Sequence, residues 1–115
     1  MKDYKKLSFW VKSHSFAKEI YKITTSFPKA EEYGIKSQLK RASLSIPTNI
    51  VEGCGRESKK EFKRFLVIAS GSAAEVEYLL YFSYEIGYIT ESAHVDLNKK
   101  VIEIKKMLTS YKNKI

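Results

Sequence analysis

Apolar residues recur along this chain at steps of three and four, and glycine and proline gather between the periodic stretches. Pro28 and Gly34 bracket one break, Gly53-Cys54-Gly55 marks a second, and Gly87 a third. Only Pro47 and Gly71 fall inside periodic segments. The first segment, about Ser8 to Thr25, offers Ser8 as an N-cap and Val11, Ala17, Ile20, Tyr21 and Thr24 as one face. The second, about Gly34 to Glu52, spaces Ile35, Leu39, Ala42, Ile46 and Ile50 along one side. The third opens with Ser58-Lys-Lys-Glu61, a capping-box pattern, and carries Phe62, Phe65, Leu66, Ala69, Ala73, Val76, Leu80 and Ser83 to the terminal Gly87. The fourth, about Ser92 to Lys112, shows Leu97, Val101, Ile104, Leu108 and Tyr111 and ends in lysines that suit a helix C-terminus. No strand-like alternation competes. The pattern predicts an all-α chain of four helices forming a single domain over residues 1–115.

Two interior positions refine this expectation. Pro47 lacks the N–H that would reach the carbonyl of Ser43, and its ring pushes that carbonyl away. Ile50 nevertheless stays on the face set by Ile46, so a proline kink in helix 2 fits better than a stop. Gly71 lies in the small-residue stretch Ala69-Ser-Gly-Ser-Ala-Ala74. Glycine costs about 1 kcal/mol against alanine within a helix. Close approach by a neighbouring helix, within the bundle or from another subunit, would offset that cost.

Composition narrows the class. The chain has 115 residues, 43% hydrophobic and 30% charged, which excludes a disordered segment. The longest unbroken apolar runs, Phe65–Ala69 and Tyr78–Phe82, are five residues each, and no signal-peptide pattern is present, so the expected location is cytoplasmic. The single Cys54 excludes an intramolecular disulfide and a cysteine-built zinc site. Charge is unevenly placed within the net +8. Residues 36–64 carry eight Lys/Arg against three acids, and residues 99–115 carry six lysines against Glu103. Between them, residues 65–98 hold five acids and no Lys or Arg. Such asymmetry speaks of partners and assembly rather than of fold.

The stretch Ser45-Ile-Pro-Thr-Asn-Ile50 with Glu52-Gly53 is distinctive. With Phe27-Pro28, Glu32-Tyr-Gly34, Gln38-Leu-Lys-Arg-Ala42, Arg56, Glu61-Phe62, Phe65-Leu66, Gly71-Ser72, Gly87-Tyr88 and Glu103-Ile-Lys-Lys-Met-Leu108, the chain resembles the bacterial four-helix-bundle proteins first noticed in reading frames of 23S ribosomal RNA intervening sequences. Val51, where the family usually has alanine, and Cys54 within the Gly-rich turn are its departures. The resemblance implies an up-down four-helix bundle assembling as a ring-like homopentamer, without established enzymatic activity. In it Ser45, Pro47, Asn49, Glu52 and Gly53 form a structural motif. A group similar in fold, the accessory variability proteins of diversity-generating retroelements, binds a reverse transcriptase and nucleic acid.

Chemistry for catalysis is sparse. His14 and His94 stand on different segments without ligand-spaced partners, Glu75 and Glu77 point apart on a helix, and no Ser/His/Asp set, HExxH or P-loop occurs. The expectation is no enzyme, no metal and no cofactor. Cys54 reads either as a thiol activated by Arg56 and the following helix start or as filler of the turn. The turn Gly53–Ser58 is richer. Exposed N–H groups of a helix start, with Arg56, Lys59, Lys60, Lys63 and Arg64, suit phosphate, though a capped helix with a solvated basic turn accounts for the same residues. Lys36, Lys40 and Arg41 extend the candidate phosphate-binding set across helix 2, while Lys112 and Lys114 read as a separate C-terminal tail. Tyr33, Tyr78, Tyr81, Tyr84 and Tyr88 suit base stacking or, more simply, core and subunit contacts. Glu75, Glu77, Tyr81, Tyr84 and Glu85 are the expected oligomer interface, an acidic surface meeting a basic one on the next copy.

The sequence therefore points to a non-enzymatic, cytoplasmic homo-oligomer that binds nucleic acid, RNA before DNA, through its phosphates and without sequence choice. The alternative is a structural adaptor that recruits a protein such as a reverse transcriptase without touching nucleic acid.

Overall fold

A computed structural model describes residues 2–115. Its main helices are α1 (Ser8–Ile23), α2 (Ile35–Cys54), α3 (Lys59–Glu85) and α4 (Glu91–Lys114), and there is no strand among the described residues. Each helix packs against its neighbours in the chain, and α1 also meets α4, which leaves α1/α3 and α2/α4 on the diagonals. Short connections turn the chain back at each helix end, so successive helices run antiparallel. At 1.5 Å per residue α3 is about 40 Å long, nearly the full 43 Å of the molecule's long axis.

Local chemistry sets the ends. Leu7, not Ser8, takes the N-cap position of α1, without a side-chain hydrogen bond. The buried face of α1 is Phe9, Ser13, Phe16, Ala17 and Ile20, while Val11 and Tyr21 are exposed, so the core face lies to one side of the expected one. The two phenylalanines decide it, because they have the most apolar area to bury. Ser58 Oγ accepts from the Glu61 N–H at 3.1 Å. The Glu61 carboxylate turns to Arg64 (3.4 Å), so only half of the capping box is used. At the end of α3, Gly87 adopts φ +84°, its N–H reaches the Tyr84 carbonyl (3.0 Å), and the Tyr88 N–H reaches that of Ser83 (2.8 Å). This is a Schellman closure, and only glycine takes that φ without strain. Thr90 caps α4 by accepting from the Ala93 N–H at 3.1 Å.

The core is as patterned. Ile46 and Ile50 of α2, Leu66, Ala69, Ala73, Val76 and Leu80 of α3, and Val101, Ile104 and Leu108 of α4 are essentially inaccessible. α2 continues through Pro47 to Cys54. Around the proline, the Thr48 hydroxyl donates to the Leu44 carbonyl (2.8 Å), and the Asn49 amide donates to the carbonyl (2.8 Å) and hydroxyl (2.9 Å) of Ser45. The Ser45 hydroxyl in turn bonds that of Ser72 on α3 at 2.9 Å. The motif residues Ser45 and Asn49 thus brace the proline turn and tie it to the next helix.

The two interior-helix glycines behave oppositely. A Cβ on Gly53 would lie 2.9 Å from Phe65 Cβ and 3.0 Å from Phe62 Cδ1. Gly53 is therefore a point where α2 and α3 come together too closely for any side chain. A Cβ on Gly71 would meet nothing within 4 Å, so no helix of the same protomer closes on it. Gly71→Ala is expected to raise the unfolding free energy of the isolated protomer by about 1 kcal/mol, checked by urea denaturation.

α3 also has the length and mean hydropathy (1.3 over an 18-residue window) to cross a bilayer, alone among the described helices. Run length hid this, because Ser, Gly and Glu interrupt the apolar stretch without making it polar on average. Its inner side fills the bundle core. Its outer side leaves Val67, Ile68, Tyr78 and Phe82 between 38% and 61% exposed.

Candidate nucleic-acid interface

Antiparallel packing gathers four chain ends at one end of the bundle: the start of α1, the end of α2, the start of α3 and the end of α4. The Lys2 N–H bonds the Cys54 carbonyl at 3.3 Å, and Lys2 Nζ lies 5.5 Å from the Phe62 ring centre. Tyr111 of α4 packs on Phe9 of α1 (5.0 Å) and on Phe62 of α3 (6.0 Å). Residues 2–12, 52–64 and 106–115 meet there, with twelve Lys/Arg against four acids. The rest of the chain carries nine of each, so the whole net charge of +8 resides at this end.

Within it, Arg56 and Arg64 place their guanidinium groups 4.9 and 5.0 Å from the Phe65 ring centre. Cation–π contact holds both near one position without neutralising them. Lys59 and Lys60 are exposed on the first turn of α3, and Lys63 is half-buried beside them. A cleft of about 240 Å³ opens between Lys2, Gly53, Cys54, Arg56, Ser58 and Lys59. The dipole of α3 adds positive potential at the same place. The arrangement concentrates positive charge around one cleft at this end of the bundle.

The expected set divides. Arg56, Lys59, Lys60, Lys63 and Arg64 are brought together. Lys36, Lys40 and Arg41 are not: they lie at the other end of α2, roughly 20 Å or more from its Cys54 terminus at the helical rise. There Lys36 pairs with Glu32 at 2.9 Å and is mostly covered, and the lysine's hydrogen bond holds the Glu32 carboxyl below its usual pKa. Lys40 lies over the Tyr21 ring at 4.7 Å. Lys112 and Lys114 are no separate tail. They belong to α4 and stand at the basic end with Lys2, Lys5 and Lys6, five lysines that the sequence expectation leaves out of the basic cluster. The signal was available, since an up-down bundle must bring the start of its first helix, its second turn and its last helix end together.

The expected interface set is partly engaged within the protomer. Glu77 pairs with Lys105 (2.8 Å), the Tyr81 hydroxyl donates to Glu85 (2.8 Å), and Tyr84 stacks on His94 (4.9 Å) and donates to Glu91 (3.2 Å). Glu75 is exposed. The exposed apolar row Val67, Ile68, Tyr78 and Phe82 runs beside these residues, and sequence reasoning found only Tyr78 of it because α3 is apolar on both sides. Cys54 is buried and burial pushes its thiol pKa up, which removes the activated-thiol reading. No group of three or more His, Cys, Asp or Glu able to hold a metal ion is found among the described residues.

A family model described as 23S rRNA-intervening sequence protein matches residues 5–110. Among solved structures, the chain is similar to a protein of unknown function from the S23 ribosomal protein family of Bacteroides thetaiotaomicron. The two share 32% identity over 90% of this chain and 96% of the other, with a TM-score of 0.81. No curated protein matches the chain.

Proposed function

The chain belongs to the 23S rRNA-intervening sequence protein family, and from that membership we propose that it is a non-enzymatic, ring-forming protein that holds nucleic acid, RNA in particular, by its phosphates at the basic end of each bundle. The observation that carries this is the placement of the entire net charge at one end. Phosphate contacts of this kind are sequence-independent and release counterions. In a closed ring every protomer has the same tilt to the symmetry axis, so the basic ends recur around it and a strand engages several at once. The kink at Pro47 belongs to the same reading, as a bend within α2 between the Lys36–Arg41 end and the basic end.

Assembly, as the homopentamer that the resemblance implies, uses the outer face of α3. Val67, Ile68, Tyr78 and Phe82 offer apolar area, Gly71 leaves room for a close neighbour, and Glu75 and Glu85 supply the acidic component. Tyr78→Lys with Phe82→Lys is expected to give a helical monomer by light scattering at micromolar concentration, where the unaltered chain is oligomeric. The same apolar face is what a protein adaptor would use. Titration of the full chain with single-stranded RNA across a salt series separates the two readings. A linear fall of log K with log salt supports the first, and no binding at low salt transfers the role to the adaptor.

A further inference from the structure

α1 carries an aromatic stack that the bundle does not require. Trp10 and His14, one turn apart, lie with ring centres 4.8 Å apart and planes within 10°, and Tyr4 meets the indole edge-on at 4.8 Å. Trp10 packs on the core, whereas His14 is exposed. Among the described residues His14 has no hydrogen bond, ion pair or second aromatic partner. The indole covers one face of the imidazole, and the residue is otherwise exposed. Lys5 and Lys6 precede this helix, Lys18 stands one turn beyond His14, and all three are exposed.

The choice of tryptophan is informative. Its Nε1–H is buried and finds no acceptor among the described residues, a cost that phenylalanine would avoid. What the indole adds is a broad plane beneath the imidazole. The second histidine provides the contrast. His94 also stacks, on Tyr84 at 4.9 Å, but it is half-buried, Tyr81 lies 6.1 Å to its side, and Glu85 and Glu91 accept from these tyrosines. Carboxylates there repel phosphate.

We infer that the face of His14 away from the indole is a stacking platform for an unpaired base, continuing the Trp10–His14 column while lysines beside it take the flanking phosphates. This rests on the nucleic-acid reading and deepens it: the ligand is single-stranded, because a paired base has no free face to offer. Base–aromatic stacking tolerates any base, so the platform selects strandedness rather than sequence.

The chain has two histidines, so proton NMR of their rings reports the site directly. A short oligoadenylate should move the His14 ring protons upfield and leave those of His94 in place, while inorganic polyphosphate should move neither by a ring current. His14→Ala should weaken oligoadenylate binding about tenfold, His14→Phe should restore it, and both should bind polyphosphate and duplex RNA as the unaltered chain does. His14 is on the surface, so circular dichroism of both variants is expected to be unchanged. Equal oligoadenylate affinity for the unaltered chain and His14→Ala, with polyphosphate still bound, overturns the platform and leaves the basic end standing. Binding of neither ligand overturns both.

Discussion

Replacing Arg56, Lys59, Lys60, Lys63 and Arg64 with glutamine is expected to weaken single-stranded RNA binding on the order of a hundredfold at low salt. It should also flatten the salt dependence, by roughly 0.7 in log K per log salt for each phosphate no longer neutralised and so about 3.5 for five. The matched control is the same change at Lys22, Lys29, Lys36, Lys40 and Arg41, which removes as many charges from the opposite end of the bundle. That variant should keep most of its affinity and slope. Equal weakening in both would mean that net charge alone attracts RNA. The five cations replaced at the basic end make few ion pairs, Arg64–Glu61 at 3.4 Å being the one within the set. Exposed pairs of this kind contribute about 0–1 kcal/mol, so helicity and oligomer size should survive and the binding readout stays clean.

The second large effect is on stability. Gly53→Val puts a side chain where Phe65 Cβ is already 2.9 Å from the ideal Cβ position. Phe65 Cβ is fixed by the α3 backbone and cannot rotate away, so α2 and α3 must separate. Overpacking of this kind costs about 1–3 kcal/mol. For a chain of this size that lowers Tm by roughly 4 °C per kcal/mol, readable by thermal circular dichroism. The variant should also loosen Phe65 beneath Arg56 and Arg64, so RNA affinity falls with stability even though no cation is removed. Gly71→Ala, the same kind of change on the open side of α3, should move stability the other way.

Much of the fold was legible in the residues because each helix carries its own period and punctuation. Ser58 and Gly87 mark the ends of α3 through chemistry that acts within a turn, and Leu97, Val101, Ile104 and Leu108 could face only one way. Of the expected α1 face, Ala17, Ile20 and Thr24 are buried while Val11 and Tyr21 are not, because the volumes of Phe9 and Phe16 turn the helix toward the core on their side. The grouping of charge at the basic end was legible in part. Arg56 to Arg64 are contiguous in the chain and stay together in space. Lys36 to Arg41 stand on the helix that leads into this turn, but its continuation through Pro47 carries them to the far end. Lys2, Lys5, Lys6, Lys112 and Lys114 are distant in sequence and adjacent in space, a consequence of topology that local patterns do not contain.

Lysine acetylation of the full chain, quantified by mass spectrometry with and without saturating single-stranded RNA, places the strand most directly. Protection confined to the lysines within residues 2–18, 59–63 and 106–114, with Lys22, Lys29, Lys36 and Lys40 modified as before, is the predicted result. Uniform protection, or protection centred on Lys36 and Lys40, would contradict the basic end as the binding surface.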